Sequence, residues 1–211
     1  MRKWYPAVLV AATFVGSLFI YPRLPDRVPT HWDIHDRVNG YGPRWMAAFL
    51  IPTMLLALWG LLRFLPRIDP RRENYAKMQG TYDLVVNVTL TLVAVLHFVI
   101  LGAVMGAPIS IPRVVPAIVG VALVVVGSVL PRARPNWWFG IRTPWTLSND
   151  RVWERTHHVG GYVMVAIGLL AMLASILGVT VASAAVGIVA AALGLGLVAY
   201  SYFAWKQETS R

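Results

Sequence analysis

Between Val159 and Trp205 the chain runs 47 residues without one charged side chain. As a single α-helix that run would be about 70 Å long, more than twice the roughly 30 Å thickness of bilayer hydrocarbon. It must fold back within a membrane, and Gly178–Ser183 is the expected reversal. Two spans result, near Val159–Leu177 and Ala184–Trp205.

Four more uncharged runs have the same length scale: Trp4–Tyr21, Trp45–Leu62 with Pro52 inside it, Leu84–Met105 and Val114–Leu130. The composition agrees, with 57% hydrophobic and 13% charged residues, against about 25% charged in an ordinary soluble domain. Basic residues precede the first run, but no small-residue cleavage site follows it, so it is expected to remain as a span. The fold class expected is an all-α polytopic membrane protein of six transmembrane helices. Small residues of the sixth span, Gly187, Gly194 and Gly196, suit close helix packing.

Orientation follows from the basic residues. With the N-terminus inside, fourteen of the nineteen Lys and Arg fall on the cytoplasmic side, the bias that membrane insertion produces. Both termini are then cytoplasmic, the Pro-rich loop 22–44 is outside and the Trp-rich loop 131–158 is inside. The net charge of +10 is explained by this bias, and with no contiguous basic helix or nucleic-acid motif, no nucleic acid is expected as a partner. The chain has no cysteine, which removes disulfides and thiolate chemistry.

Three groups of polar residues are candidates for function. In the outer loop His31, Asp33 and His35 alternate, which on an extended strand places them on one face, where they would suit a divalent metal and, as a lesser alternative, a membrane metalloenzyme; the plainer reading is that they cap a turn. In the third span Asp83 and Asn87 lie four apart, with His97 about three turns deeper. Ionisable groups inside a membrane face a cavity or a partner, so these suit a proton-coupled transporter or, more simply, packing. In the inner loop Glu154, His157 and His158 resemble half of a di-metal site, but no second copy joins them. No nucleophile–base pair and no phosphate-cradling loop is present, so neither an enzyme nor a cofactor is expected, and no metal is assigned. From Asp69 and Pro70 a short amphipathic helix is expected to lead into the third span. Arg142 is expected to seek a carboxylate, backbone carbonyls or lipid phosphate, with Glu154 the nearest acid. Thr146–Asp150 offers caps for a helix bearing Trp153 and His157 on one face.

Asn136, Gly140-Ile141-Arg142-Thr143-Pro144-Trp145-Thr146-Leu147, Val152-Trp153 and Thr156-His157 resemble the signature of the SdpI family of bacterial membrane proteins. The segment Tyr21–Asp33, with Pro25, His31, Trp32 and Asp33, and the later Gly40-Tyr41-Gly42 resemble the small uncharacterised domain that heads many SdpI-like proteins. That head domain usually carries a glycine where this chain has Asp36 and an acid where it has Asn39. The resemblance divides the chain into a head of residues 1–62 and a four-span region of 63–211. It implies a multi-pass protein of the bacterial inner membrane, resistance to a membrane-active peptide toxin met at the outer face, and a cytoplasmic regulator captured at the membrane. Placed inside, the Trp-rich loop is expected to be scaffold or output surface, and the outer loop the first point of toxin contact.

Overall fold

The computed structural model describes residues 4–178 and 180–210. Its element order is α1 (Tyr5–Ile20), β1 (Arg27–Trp32), β2 (Val38–Pro43), α2 (Arg44–Ile68), α3 (Glu73–Lys77), α4 (Gln79–Val104), α5 (Ile111–Val129), α6 (Pro144–Ser148), α7 (Asp150–Ile176) and α8 (Thr180–Thr209). Six of these helices, α1, α2, α4, α5, α7 and α8, are long and apolar enough to cross a membrane. The polytopic helical fold read from hydropathy is the one formed. Helices exceed the expected spans where polar turns continue them: α7 starts at Asp150, capped by Asn149, whose Oδ1 accepts the Arg151 and Val152 N–H groups. α2 runs unbroken through Pro52 and on to Ile68.

Two packing modes divide the bundle. Helices α1, α2 and α4 meet through larger side chains, with Val10, Leu55, Leu90 and Ala94 in one buried cluster. Helices α5 and α7 meet backbone to backbone. A Cβ added to Gly120 would lie 2.6 Å from the Gly168 carbonyl oxygen, and one on Gly127 would lie 2.8 Å from that of Gly161. Both pairs are seven residues apart in their helices, so the small positions keep to one stripe as the antiparallel helices cross. With no hydrophobic drive between helices in lipid, such close approach supplies the van der Waals contact that holds them.

The close packing expected of the sixth span is not where the structure puts it. Nothing lies within 4 Å of an added Cβ at Gly187, Gly194 or Gly196, because α8 sits at the edge of the bundle. It is tied on near its C-terminal end instead. Thr143 Oγ1 and Ser201 Oγ are 2.9 Å apart, Trp145 packs edge-on to Tyr202, and Glu208 accepts from Arg151 and Arg155. Gly178, with φ +68, ends α7 in a left-handed conformation that glycine adopts without penalty.

The loops segregate to two ends. One end holds the β1–β2 hairpin, the 105–110 connection and the turn at Gly178. The other holds the segments between α2 and α4 and between α5 and α7. The loop between the first two spans is thus an antiparallel hairpin within an otherwise helical fold. Leu24 and Val28 fix it to the bundle by burying against Ala48 of α2 and Leu101 of α4.

Candidate functional site

The connection between α5 and α7 is a knot of buried polar groups. It is built around Asn136, 1% exposed. The side-chain oxygen accepts the backbone N–H of Trp138 at 2.9 Å and of Phe139 at 2.6 Å. The amide nitrogen donates to the carbonyls of Arg134 and Phe139. One side chain thereby satisfies a whole turn of backbone that burial would otherwise leave unpaired.

Asp69 joins this turn to the chain after α2. Its Oδ2 accepts the Trp137 N–H and the Tyr75 hydroxyl, each at 2.9 Å, and its Oδ1 accepts the Arg71 N–H at 2.7 Å. The Tyr75 hydroxyl also lies 3.2 Å from Asn136 Oδ1, and Asn74 donates to the Pro135 carbonyl. Burial, and next the hydrogen bond to Asp69, push the Tyr75 hydroxyl well above the usual phenol range. The expected helix start at Asp69 is corrected here. Asp69 does cap a turn, its Oδ1 accepting the Arg71 N–H and its carbonyl the Arg72 N–H, but α3 begins only at Glu73. Sequence reading missed this anchor. The one local sign was an acid at the end of a span with four arginines within six residues; it makes no ion pair with any of them among the described residues.

The second half of the knot rests on α7. Trp153 and His157 are fully buried, one turn apart, and stack at 4.0 Å between ring centroids. Trp153 Nε1 donates to the Ala133 carbonyl at 2.8 Å. His157 Nε2 accepts the Ile141 N–H at 3.0 Å, which places the ring proton on Nδ1, 2.8 Å from the Trp153 carbonyl. Gly140 approaches the edge of this ring, end-on to Nε2. Its φ is +110, and an added Cβ would meet His157 Nε2 at 2.3 Å, so both conformation and space demand glycine. Thr143 then caps α6 through a reciprocal pair with Thr146, as the local sequence pattern allows.

Within the motif most polar atoms are spent internally. Arg142 donates to the Trp137 carbonyl at 2.8 Å, a backbone partner of the kind expected for it, while Glu154, the nearest acid in sequence, pairs with Arg134 at 3.5 Å. With both His157 nitrogens engaged, the Glu154–His157 pair has no open ligand position. The exposed remainder of the motif loop is Trp137, half-exposed Trp138, Arg142 and Pro144, an aromatic and cationic face.

At the opposite end, His31, Asp33 and His35 do not converge. The strand ends at Trp32, and Asp33 turns inward, Oδ1 accepting the N–H groups of His35 and Arg37, each at 2.9 Å. The bond from Arg37 is the main cause holding the Asp33 carboxyl below its usual range. His31 Nδ1 pairs across the hairpin with Asn39 Oδ1. No three His, Cys, Asp or Glu residues gather as metal ligands among the described residues. Asp36 has φ +64, a left-handed position where glycine is at ease and Asp is tolerated. That is where the head domain usually carries its glycine. Asp36 Oδ1 also accepts the Ile111 N–H at 3.3 Å, linking the hairpin tip to α5.

The third-span residues separate. Asp83 and Asn87 line a cavity of about 610 Å³ between α1, α2 and α4. Asn87 also lines a second, mostly apolar cavity of about 630 Å³ between α4 and α5. His97 lines neither. It is 2% exposed and pairs through Nε2 with Ser17 Oγ at 2.7 Å, tying α4 to α1. Of the two readings of these residues, His97 takes the position of the simpler one, hydrogen-bonded packing between helices, and shares neither cavity with Asp83 or Asn87.

Comparison with known proteins follows the same division. The SdpI/YfhL protein family model matches residues 132–202, which are the knot, α6, α7 and most of α8. A domain of unknown function (DUF1648) matches residues 8–56, which are α1, the hairpin and the start of α2. Immunity protein SdpI of Bacillus subtilis (strain 168) is 25% identical over 205 residues, covering 97% of this chain and 96% of that protein. No solved structure matches. The knot, the head and the full-length likeness thus agree in what the chain is similar to, the SdpI family.

Proposed function

We propose that this is a non-catalytic immunity protein of the bacterial inner membrane, protecting its host against a membrane-active peptide toxin. The observation that carries this reading is the end-to-end likeness to Immunity protein SdpI. The site supports it: the motif's polar groups are consumed in holding a shape, which suits binding and leaves no free nucleophile–base pair. With the termini inside, the hairpin faces the toxin, offering Ile34 and Tyr41 at its surface, with Trp32 half-buried beside them. The face of Trp137, Trp138 and Arg142 then serves a cytoplasmic regulator. The remaining motif residues, Asn136, Gly140, Thr143, Thr146, Trp153 and His157, are the frame that presents it.

The test is survival of a toxin-sensitive bacterium expressing the chain, challenged with a panel of secreted membrane-active peptides. Protection against at least one is expected, lost with Tyr41→Ala in the hairpin and retained with Arg142→Ala. Unchanged sensitivity across the panel, with the protein shown to be in the membrane, rejects immunity.

A further inference from the structure

The cavity of about 610 Å³ between α1, α2 and α4 has a chemistry that the immunity reading does not use. Its charged wall is Arg63 and Arg67, one turn apart on α2 and hence on one face. Neither guanidinium makes a hydrogen bond or ion pair with any described residue. The facing wall on α4 supplies Gln79 and Asp83, which are occupied with each other, Gln79 Nε2 donating to Asp83 Oδ1 at 2.7 Å. Deeper in the same cavity the wall becomes apolar, with Trp59 and Val86. Trp59 lies two turns from Arg67, about 12 Å along the helix axis.

Two cations and one carboxylate leave the cavity one positive charge in excess. Arg63 is a turn inside the end of a membrane span, where an unpaired cation is costly and draws an anion or water to itself. A guanidinium pair matches the oxygens of a phosphate through parallel N–H bonds. The depth of the cleft matches the step from headgroup to acyl chain, and lipid is the medium that surrounds α1, α2 and α4. Basic pockets between spans take anionic headgroups for these reasons.

We propose that this cleft binds one anionic phospholipid, its phosphodiester held by Arg63 and Arg67 and the start of its acyl chains lying against Trp59 and Val86. Such a lipid would fill the space between α1, α2 and α4 and restrain the segment that carries Asp69 and Tyr75.

The experiment is native mass spectrometry of the full chain, purified in detergent and offered phosphatidylglycerol or phosphatidylcholine. One phosphatidylglycerol should be retained at least tenfold better than phosphatidylcholine. Arg63→Gln/Arg67→Gln should abolish that preference, and Arg63→Lys/Arg67→Lys should keep part of it. Arg72→Gln/Arg132→Gln, which removes two charges from the same end outside the cleft, should leave it intact. Equal retention of both lipids, or a preference untouched by Arg63→Gln/Arg67→Gln, overturns the proposal. So does a lipid-free sample that inorganic phosphate stabilises as well as phosphatidylglycerol does, since the site would then be one for a free anion. If the double Gln variant does not fold, Arg67→Gln at the mouth replaces it: at least a threefold loss is expected, and none overturns the assignment.

Discussion

The two ends of the molecule use similar residues to opposite effect. Each has a polar loop carrying Trp, two His and acidic side chains. In the hairpin, Asp33, His31 and Asn39 bond to neighbours within eight residues and stay in contact with water. In the knot, Asp69, Tyr75, Asn136, Trp153 and His157 are all less than 5% exposed, and they join three segments far apart in sequence. A polar group that can fall back on water contributes little net stability, whereas a buried one left without its partner costs its full desolvation. The knot is therefore the part of the molecule where single changes should be most damaging, and the hairpin the part free to vary with a ligand.

The sharpest way to break this contrast is at Gly140. Gly140→Ala is expected to remove most folded protein from the membrane, because the side chain meets the His157 ring at a backbone conformation that disfavours it. Detergent-stable yield by size-exclusion chromatography measures this; wild-type yield would mean that the knot is looser than its contacts imply. Asn136→Ala comes next, stranding two backbone N–H groups and two carbonyls, at roughly 3 kcal/mol or more from about 1–3 kcal/mol per unsatisfied buried group. A thermal melt of the purified protein should show a drop of several degrees.

Smaller effects should mark the exposed bonds. Arg71→Ala removes a part-exposed pair with Asp150 at 2.7 Å, worth about 0–1 kcal/mol, and a long bond to the Leu147 carbonyl at 3.3 Å; a melting shift as large as that of Asn136→Ala would contradict the burial argument. The smallest is a pH effect in the hairpin. Asp33 has its folded pKa depressed, so its contribution is present above the ordinary carboxylate value of about 3.9 and lost as pH falls through the lower folded one. Amide exchange at His35 and Arg37 should quicken over that acidic window and stay flat near neutrality. Asp33→Asn should abolish the pH dependence with little change in overall melting.

Much of the local structure is legible from neighbours in sequence. Asn149 and Thr143 each sit just before a helix with a free side-chain oxygen, and they cap as such residues do. The left-handed turn at Gly178 falls inside the reversal required by the long uncharged run. By contrast, nothing near Asp69 reveals that its carboxylate serves Trp137, because that bond depends on two loops arriving at the same end of the bundle. His157 illustrates the same limit. Its spacing from Trp153 places both on one helical face, but only the arrival of the Gly140–Ile141 backbone at the Nε2 edge of the ring turns that face into a binding surface for backbone. The glycines are the clearest case: Gly120, Gly127, Gly161 and Gly168 make the tight seam, while Gly187, Gly194 and Gly196, equally small, lie open.

What this sequence determined by itself is what depends on transfer from water: six apolar runs, their lengths, and the uneven charges of the loops between them. Hydropathy is additive along a chain and needs no partner to be read. Which helix faces which, which acid is buried without a cation, and which motif residues hold shape rather than ligand were decided only in the folded molecule. Those outcomes rest on hydrogen bonds and contacts within a few ångströms between residues as far apart as Asp69 and Trp137, and short-range forces carry no trace of themselves until the chain brings their atoms together.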